Sequence, residues 1–180
     1  MILKSNLLLY SFLLLSIKSN CQKIQVGGEE TNRKLKWSDF SGQVDTQSPF
    51  DAKTNTHTSL KMGKVEIKGD SILIQSLELT VEFSATSWAK ANKQSDVLLK
   101  HEQAHFDLDI LCAKEILSKL NGVTLPKASY NSIIQKIVGE ITKKYSDLQS
   151  QYDTETKHAK DREQQLIWEN FIAKEFEKYQ

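Results

Sequence analysis

The sequence predicts a single α+β domain in which a small amino-terminal sheet, antiparallel or mixed, precedes a helical carboxy-terminal half. Two patterns support this class. Apolar and polar residues alternate without interruption in residues 77–83, which is the period of a strand, whereas apolar residues recur every three or four positions from Ser95 onward, which is the period of a helix. The 180 residues are 39% hydrophobic and 26% charged, a composition typical of one globular domain.

The first 21 residues have the organisation of a secretory signal peptide. Lys4 supplies a positive charge, residues 7–17 form an apolar run too short to span a bilayer comfortably, and a polar segment leads to a cleavage point before Gln22. Lipid attachment at Cys21 is the alternative. We therefore expect a mature domain of residues 22–180 that is exported, either periplasmic or secreted, and has no transmembrane helix.

The charge and the cysteine content of this mature chain exclude several classes. Loss of Lys4 and Lys18 with the signal peptide changes the formal net charge from +1 to about −1. Nucleic acids and anionic membranes need a clustered positive field, so neither is an expected partner. Only Cys112 remains after cleavage, and no intrachain disulfide can form. The sequence does not indicate an oligomeric state.

Residues 22–88 are expected to form the sheet. Residues 64–67 and 72–74 fit the two arms of a hairpin, joined by a turn at 68–70, and residues 77–83 follow as the clearest strand. Upstream, residues 37–54 have the Gly, Pro, Ser and Asp content of a loop, with aromatic residues that can hold it against the sheet.

The first helix is predicted to contain about 24 residues, with Ser95 or Asp96 as its N-cap and Asn121-Gly122 as its end. It is the most strongly periodic segment of the chain.

Two further helices are predicted. One starts after Pro126 and includes residues 133–141 and Leu148, and the other covers residues 162–176. Residues 151–161 between them are polar and rich in threonine, so we expect the helical pattern to break there.

The first helix carries a HExxH motif formed by His101, Glu102 and His105. Four residues advance a helix by about 400°, so the two imidazoles lie about 40° apart and one turn from each other, where both can bind one ion. This is the zincin arrangement, and it makes the predicted fold zincin-like. Catalytic zinc sites combine three protein ligands with a water whose pKa falls to about 7. Glu102 is the predicted general base and acid. The alternative is an ordinary solvated helix face.

A third protein ligand is needed, and His158 is preferred because it lies where the helical pattern breaks, among polar neighbours that can orient it. His57, in a threonine-rich stretch, is the alternative. Cys112 lies seven residues beyond His105, about 10.5 Å along the helix axis, which is too far to join the same ion. We predict one Zn²⁺ bound by His101, His105 and His158, and no organic cofactor.

Residues around these ligands are assigned supporting roles. Asp109 can accept the second N–H of a ligand imidazole. Asp107 points away from the metal and is expected to attach the helix to the amino-terminal half. Tyr152 can hydrogen-bond an oxyanion that forms during catalysis. Gln165 and Trp168 are expected to lie in the core or behind the ligands.

Several segments together resemble the bacterial domain-of-unknown-function family 922, whose members are described as secreted zinc-dependent proteases. The segments are residues 35–42 (LKWSDFSG), 87–88 (SW), 98–108 (LLKHEQAHFDL), 152–158 (YDTETKH) and 165–168 (QLIW). The resemblance covers nearly the whole mature chain and is an independent reason to prefer His158. Ala159 departs from the pattern, because similar proteins often have glycine there. In zincins generally, an extended substrate pairs with an edge strand before the metal helix, and by that resemblance residues 77–83 are the candidate strand.

The predicted function is therefore that of an exported zinc-dependent peptidase that acts on a peptide or protein substrate, with a zinc-activated water and Glu102. One alternative is a non-catalytic, exported zinc-binding envelope protein, in which Asp153, Asp161 or Glu163 closes the site as a fourth ligand. The other is an amidase that applies the same chemistry to cell-wall peptides.

Overall fold

The computed structural model of the protein describes residues 20–179, and the predicted signal peptide lies almost entirely outside them. Strands are concentrated in the first half and three helices occupy the second, so the α+β class is confirmed. The strands are β1 (Asn20–Val26), β2 (Glu29–Glu30), β3 (Ala52–Lys53), β4 (Thr56–Met62), β5 (Val65–Lys68), β6 (Ser71–Ile74), β7 (Leu77–Phe83), β8 (Trp88–Ala89) and β9 (Thr124–Pro126), and the helices are α1 (Asp96–Leu120), α2 (Tyr130–Thr156) and α3 (Arg162–Glu177). Within residues 20–179, no helix combines the length and the apolar character needed to cross a bilayer.

The main sheet has the strand order β2-β1-β7-β4, with β7 parallel to β1 and antiparallel to β4. Leu77, Leu79, Val81 and Phe83 of β7 are buried and form the sheet side of the core. The prediction that residues 77–83 are an edge strand is wrong, since both edges of β7 are paired. The alternation of apolar and polar residues indicates that one face of the strand is buried. It does not indicate whether the edges of the strand are paired. The edge strand beside β7 is β4, whose residues are almost all exposed.

Two smaller sheets complete the first half. The predicted hairpin is confirmed as β5 and β6, and its turn contains Gly69 with φ +56°. After α1 the chain returns to add β9 to β6. The pair β3–β8 attaches the predicted loop to the segment before α1. A Cβ atom at Gly42 would lie 2.5 Å from the carbonyl oxygen of Thr86, so glycine permits this close approach.

Helix α1 begins and ends where the sequence predicts. The Ser95 hydroxyl accepts a hydrogen bond from the amide of Leu98 (3.2 Å), and Asn121 follows the last helical residue. The helix crosses the buried face of the main sheet, where Phe106 packs edge-on against Phe83 at 5.5 Å between ring centroids. Asp107 forms an ion pair with Lys34 (2.9 Å), which confirms its predicted attachment to the amino-terminal half.

Helices α2 and α3 pack on α1 and on each other. The break predicted for residues 151–161 is wrong at its start, because α2 continues to Thr156. Tyr152 and Thr156 are buried there, and the Thr156 hydroxyl donates to the carbonyl of Tyr152 (2.6 Å). Burial and this backbone contact outweigh the low helix propensity of threonine.

Candidate metal centre

A cleft of about 1130 Å³ separates the segment of residues 45–56 from helices α1 and α2. His101, Glu102 and His105 line it from α1, Asp153 lines it from α2, and His158 follows directly after α2. The structure therefore brings the HExxH residues and the segment around His158 to one cavity.

Three histidine side chains converge on a single carboxylate oxygen. Asp153 Oδ1 lies 3.1 Å from His101 Nε2, 3.0 Å from His105 Nε2 and 3.2 Å from His158 Nδ1. The Nε2 atoms of His101 and His105 are 3.2 Å apart. In a tetrahedral zinc site with bonds of 2.0–2.1 Å, donor atoms are separated by about 3.3–3.4 Å. His101, Asp153 and His158, whose ligand atoms all lie within 4.8 Å of one another, could bind a metal ion.

The hydrogen bonds behind the two α1 histidines turn their lone pairs toward this point. His105 Nδ1 contacts Gln149 Oε1, which can only accept, and His101 Nδ1 lies 3.5 Å from the Thr156 hydroxyl, which already donates to a carbonyl. Both imidazoles therefore carry their proton on Nδ1 when neutral. Their Nε2 lone pairs then face the carboxylate of Asp153, and this arrangement is repulsive unless a proton or a metal cation lies between them.

The pKa shifts of His101 and Asp153 also favour a metal cation, whereas that of His105 shows that a proton competes for its imidazole. Burial lowers the pKa of His101 despite its contact with Asp153. For His105, burial acts in the same direction, but the hydrogen bond and the charge of Asp153 prevail and raise its pKa. Burial opposes ionisation of Asp153, yet the two histidines hold its pKa well below the usual range. The carboxylate is thus an anion at neutral pH, ready to bind a metal.

A strained turn places His158 in this group. His158 lies five positions after Asp153, and in a continuous helix five positions would advance about 500°, leaving the two side chains about 140° apart. Instead, α2 ends and three successive residues adopt left-handed conformations: Lys157 (φ 50°), His158 (φ 52°) and Ala159 (φ 67°). Phe50 packs against the His158 ring at 4.8 Å between centroids. The glycine expected at position 159 from the resemblance matches this conformation, which alanine adopts at a cost.

Glu102 is held beside the histidines. Its side chain is buried, and Oε2 accepts a hydrogen bond from the Thr54 hydroxyl at 2.7 Å. Thr54 belongs to the segment that forms the opposite wall of the cleft, so this contact joins the two walls at the level of the predicted base.

The remaining predicted residues lie at different distances from the centre. Asp109 does not contact a ligand directly: its Oδ1 accepts from Gln149 Nε2 (2.8 Å), and Gln149 contacts His105. Tyr152 is completely buried and stacks on His101 at 4.6 Å, and its hydroxyl has no hydrogen-bond partner among the described residues. This position gives Tyr152 a packing role behind the ligand, and its oxyanion role stays a prediction.

The alternative ligands are placed elsewhere. His57 lies on the exposed strand β4, one residue after Thr56, which faces the centre, so the alternation of the strand points His57 away from it. Asp161 caps α3 and pairs with Lys157 (2.9 Å). The Cys112 thiol lines the cleft, and burial raises its pKa to about 11, which keeps it protonated. Gln165 and Trp168 are buried, as predicted.

Sequence reasoning missed Gln149 as a contact of His105. Asp153 was considered only as a ligand of a closed site. The two residues are four positions apart and share one face of α2, a spacing that could have revealed them had residues 151–156 been expected to be helical.

The sequence profile of a bacterial protein family of unknown function, DUF922, matches residues 24–159, about three quarters of the chain. The chain belongs to the DUF922 family. The DUF922 match contains every residue of the candidate metal centre and ends directly after His158, so α3 lies beyond it. Comparisons with curated proteins and with solved structures gave no significant match. The zincin-like part of the fold prediction therefore stays a prediction, and any proposal of activity for this DUF922 protein depends on the site.

Proposed function

We propose that this DUF922 protein is an exported zinc-dependent peptidase whose centre is formed by His101, His105 and His158. The observation that carries the proposal is the convergence of imidazole nitrogens and one carboxylate oxygen, 3.0–3.2 Å apart, on the wall of an open cleft. Nitrogen donors with a single carboxylate suit Zn²⁺ better than the hard cations, which prefer oxygen ligands. When bound, zinc supplies a Lewis acid and lowers the pKa of a water ligand to about 7.

Glu102 acts as the general base and then as the general acid. Its Oε2 is engaged by Thr54, which fixes the carboxylate and leaves Oε1 for the attacking water. After taking the proton of that water, the carboxylic acid can pass it to the leaving amine. Burial of Glu102 beside His101 keeps bulk water from competing for this transfer.

The substrate is proposed to be an extended peptide that pairs with β4. Within the described chain, β4 is hydrogen-bonded on one side only, to β7, and its first residue, Thr56, lines the cleft. Main-chain pairing with this edge would lead a peptide into the cleft and provide affinity with little sequence preference. A cell-wall peptide would be bound in the same way, so an amidase is a variant of this proposal.

A second candidate is a non-catalytic zinc-binding protein, and one observation favours it. Asp153 occupies the position of a fourth ligand, and structural zinc sites have four protein ligands whereas catalytic sites keep one position for water. For catalysis, either the Asp153 carboxylate has to move away from the metal or the metal has to bind a water as a fifth ligand.

The test combines metal analysis with peptide hydrolysis. Zinc-loaded protein of residues 22–180 is incubated with a mixed peptide library that includes cell-wall peptides, and products are identified by mass spectrometry. Glu102→Gln should retain zinc and lose about 10²–10⁴-fold in turnover, and His105→Ala should lose the metal. Glu177→Gln, at an exposed glutamate at the end of α3, is the matched control and should behave like the wild type.

The outcomes separate the two candidates. Full zinc occupancy without any hydrolysis would favour the non-catalytic protein. Undiminished turnover of Glu102→Gln would remove Glu102 from the mechanism.

A further inference from the structure

We propose that Gln149 is the positioning residue that aims His105 at the metal, and that Asp109 affects metal binding only through Gln149. The inference rests on the metal centre of the proposed function and is independent of hydrolysis. Neither contact is evident from the HExxH motif, because Gln149 lies 44 residues beyond His105.

The chain of contacts runs from the edge strand to the centre. The Thr56 hydroxyl donates to Asp109 Oδ2 at 2.7 Å, and Gln149 Nε2 donates to Asp109 Oδ1 at 2.8 Å. Gln149 Oε1 in turn contacts His105 Nδ1. Each oxygen of Asp109 thus accepts one hydrogen bond, and each end of the Gln149 amide has one partner.

Asp109 decides which end of the amide faces the histidine. Asp109 Oδ1 accepts a hydrogen bond from Gln149 Nε2, which places the NH₂ group of Gln149 toward Asp109 and its carbonyl oxygen toward His105. An acceptor at Nδ1 holds the imidazole proton there and leaves the Nε2 lone pair directed at the metal centre. The reversed amide would place N–H groups against Nδ1, move the imidazole proton to Nε2 and block metal binding.

His101 is held differently. Within residues 20–179, its Nδ1 faces only the Thr156 hydroxyl, at 3.5 Å, and its ring is positioned by stacking on Tyr152. His105 has no stacking partner of that kind among the residues that the structure describes, and its ring contacts with His101 and Tyr152 are both edge-on. The orientation of His105 therefore depends more strongly on its hydrogen bond to Gln149.

The test measures zinc affinity by competition with a chromophoric chelator. Gln149→Met keeps the length of the side chain and removes the acceptor, and Asp109→Leu removes the group that orients the amide. Each should weaken zinc binding by about 10- to 100-fold. The double variant should bind zinc as Gln149→Met does, to within about twofold, because Asp109 has no effect without Gln149. Gln151→Met, at an exposed position of the same helix, is the matched control.

A second readout uses the wild type and does not depend on the folding of any variant. In zinc-loaded protein with ¹⁵N-labelled histidine, Nδ1 of His105 should carry the proton and Nε2 should not. A proton on Nε2, or a Gln149→Met affinity within about twofold of the wild type, would overturn the inference. If the losses of zinc affinity in the two single variants add up fully in the double variant, Asp109 acts independently of Gln149 and its proposed role is refuted. A protein that binds zinc as described but cleaves no peptide would leave this inference standing and refute the peptidase.

Discussion

The left-handed turn after α2 makes Ala159→Gly the most direct test of how His158 is positioned. Ala159 has φ 67°, and a residue with a Cβ atom pays about 1–2 kcal/mol in this conformation. Glycine removes that cost but loses about 0.5–1 kcal/mol more backbone entropy on folding. The difference predicts a gain of about 0.5–1 kcal/mol in the free energy of unfolding, or about 1–4 °C in Tm for a domain of this size.

The measurement is thermal and urea unfolding of zinc-loaded protein, with zinc affinity determined in parallel. The matched control is Ala173→Gly, at an exposed position inside α3, where glycine should destabilise by about 1 kcal/mol. The two identical substitutions should therefore shift Tm in opposite directions, and Ala159→Gly should keep its zinc. If Ala159→Gly lowers Tm as Ala173→Gly does, residue 159 is not left-handed, and the placement of His158 is wrong as well.

Three further predictions concern the metal centre. Asp153→Ala should weaken zinc binding at least about 10-fold, because it removes the carboxylate that faces all three ligand histidines. Zinc affinity is measured by chelator competition against the exposed Asp147→Ala on the same helix, and equal affinities would show that the three histidines bind zinc without Asp153. Tyr152→Phe should keep zinc and raise the free energy of unfolding by about 1 kcal/mol, because the buried hydroxyl has no partner in the described chain. A loss of turnover at unchanged zinc affinity would instead support its oxyanion role. Finally, zinc affinity should fall on acidification, since protons compete for the ligand imidazoles. The raised pKa of His105 places the onset above the ordinary histidine value of about 6.5, while Asp153 stays ionised. An affinity that is constant from pH 8 to about 5 would contradict the histidine ligands.

The parts of the structure that depend on local pattern could be predicted from the sequence. Helix α1 has a strong period and residues at both ends that stop it, Ser95 and Asn121, so its bounds and the shared face of His101 and His105 follow from helical geometry alone. The hairpin β5–β6 is similarly local, because its turn residues and its two arms are adjacent in the chain.

The parts that depend on tertiary packing could not be predicted. The residues of β4 are mostly polar and exposed, and nothing in them indicates that they pair with β7 and leave β7 without a free edge. The end of α2 is stabilised by burial of Tyr152 and Thr156, which overrides a composition typical of a loop. Gln149 and Asp153 face the centre because the helix extends this far. Their positions therefore could not be predicted from a composition that indicates a loop.

The candidate centre links two unfavourable local arrangements in the described structure. One is the cluster in which the lone pairs of His101 and His105 face the carboxylate of Asp153, and the other is the run of three left-handed residues around His158. Each costs free energy, since like-sign electron density repels and side chains disfavour positive φ. A cation at the shared point attracts all four donors at once, and it therefore stabilises the cluster and the turn together. Unfavourable local arrangements concentrate where a fold is constrained by function, so their coincidence at one point of the cleft supports metal binding independently of the HExxH motif.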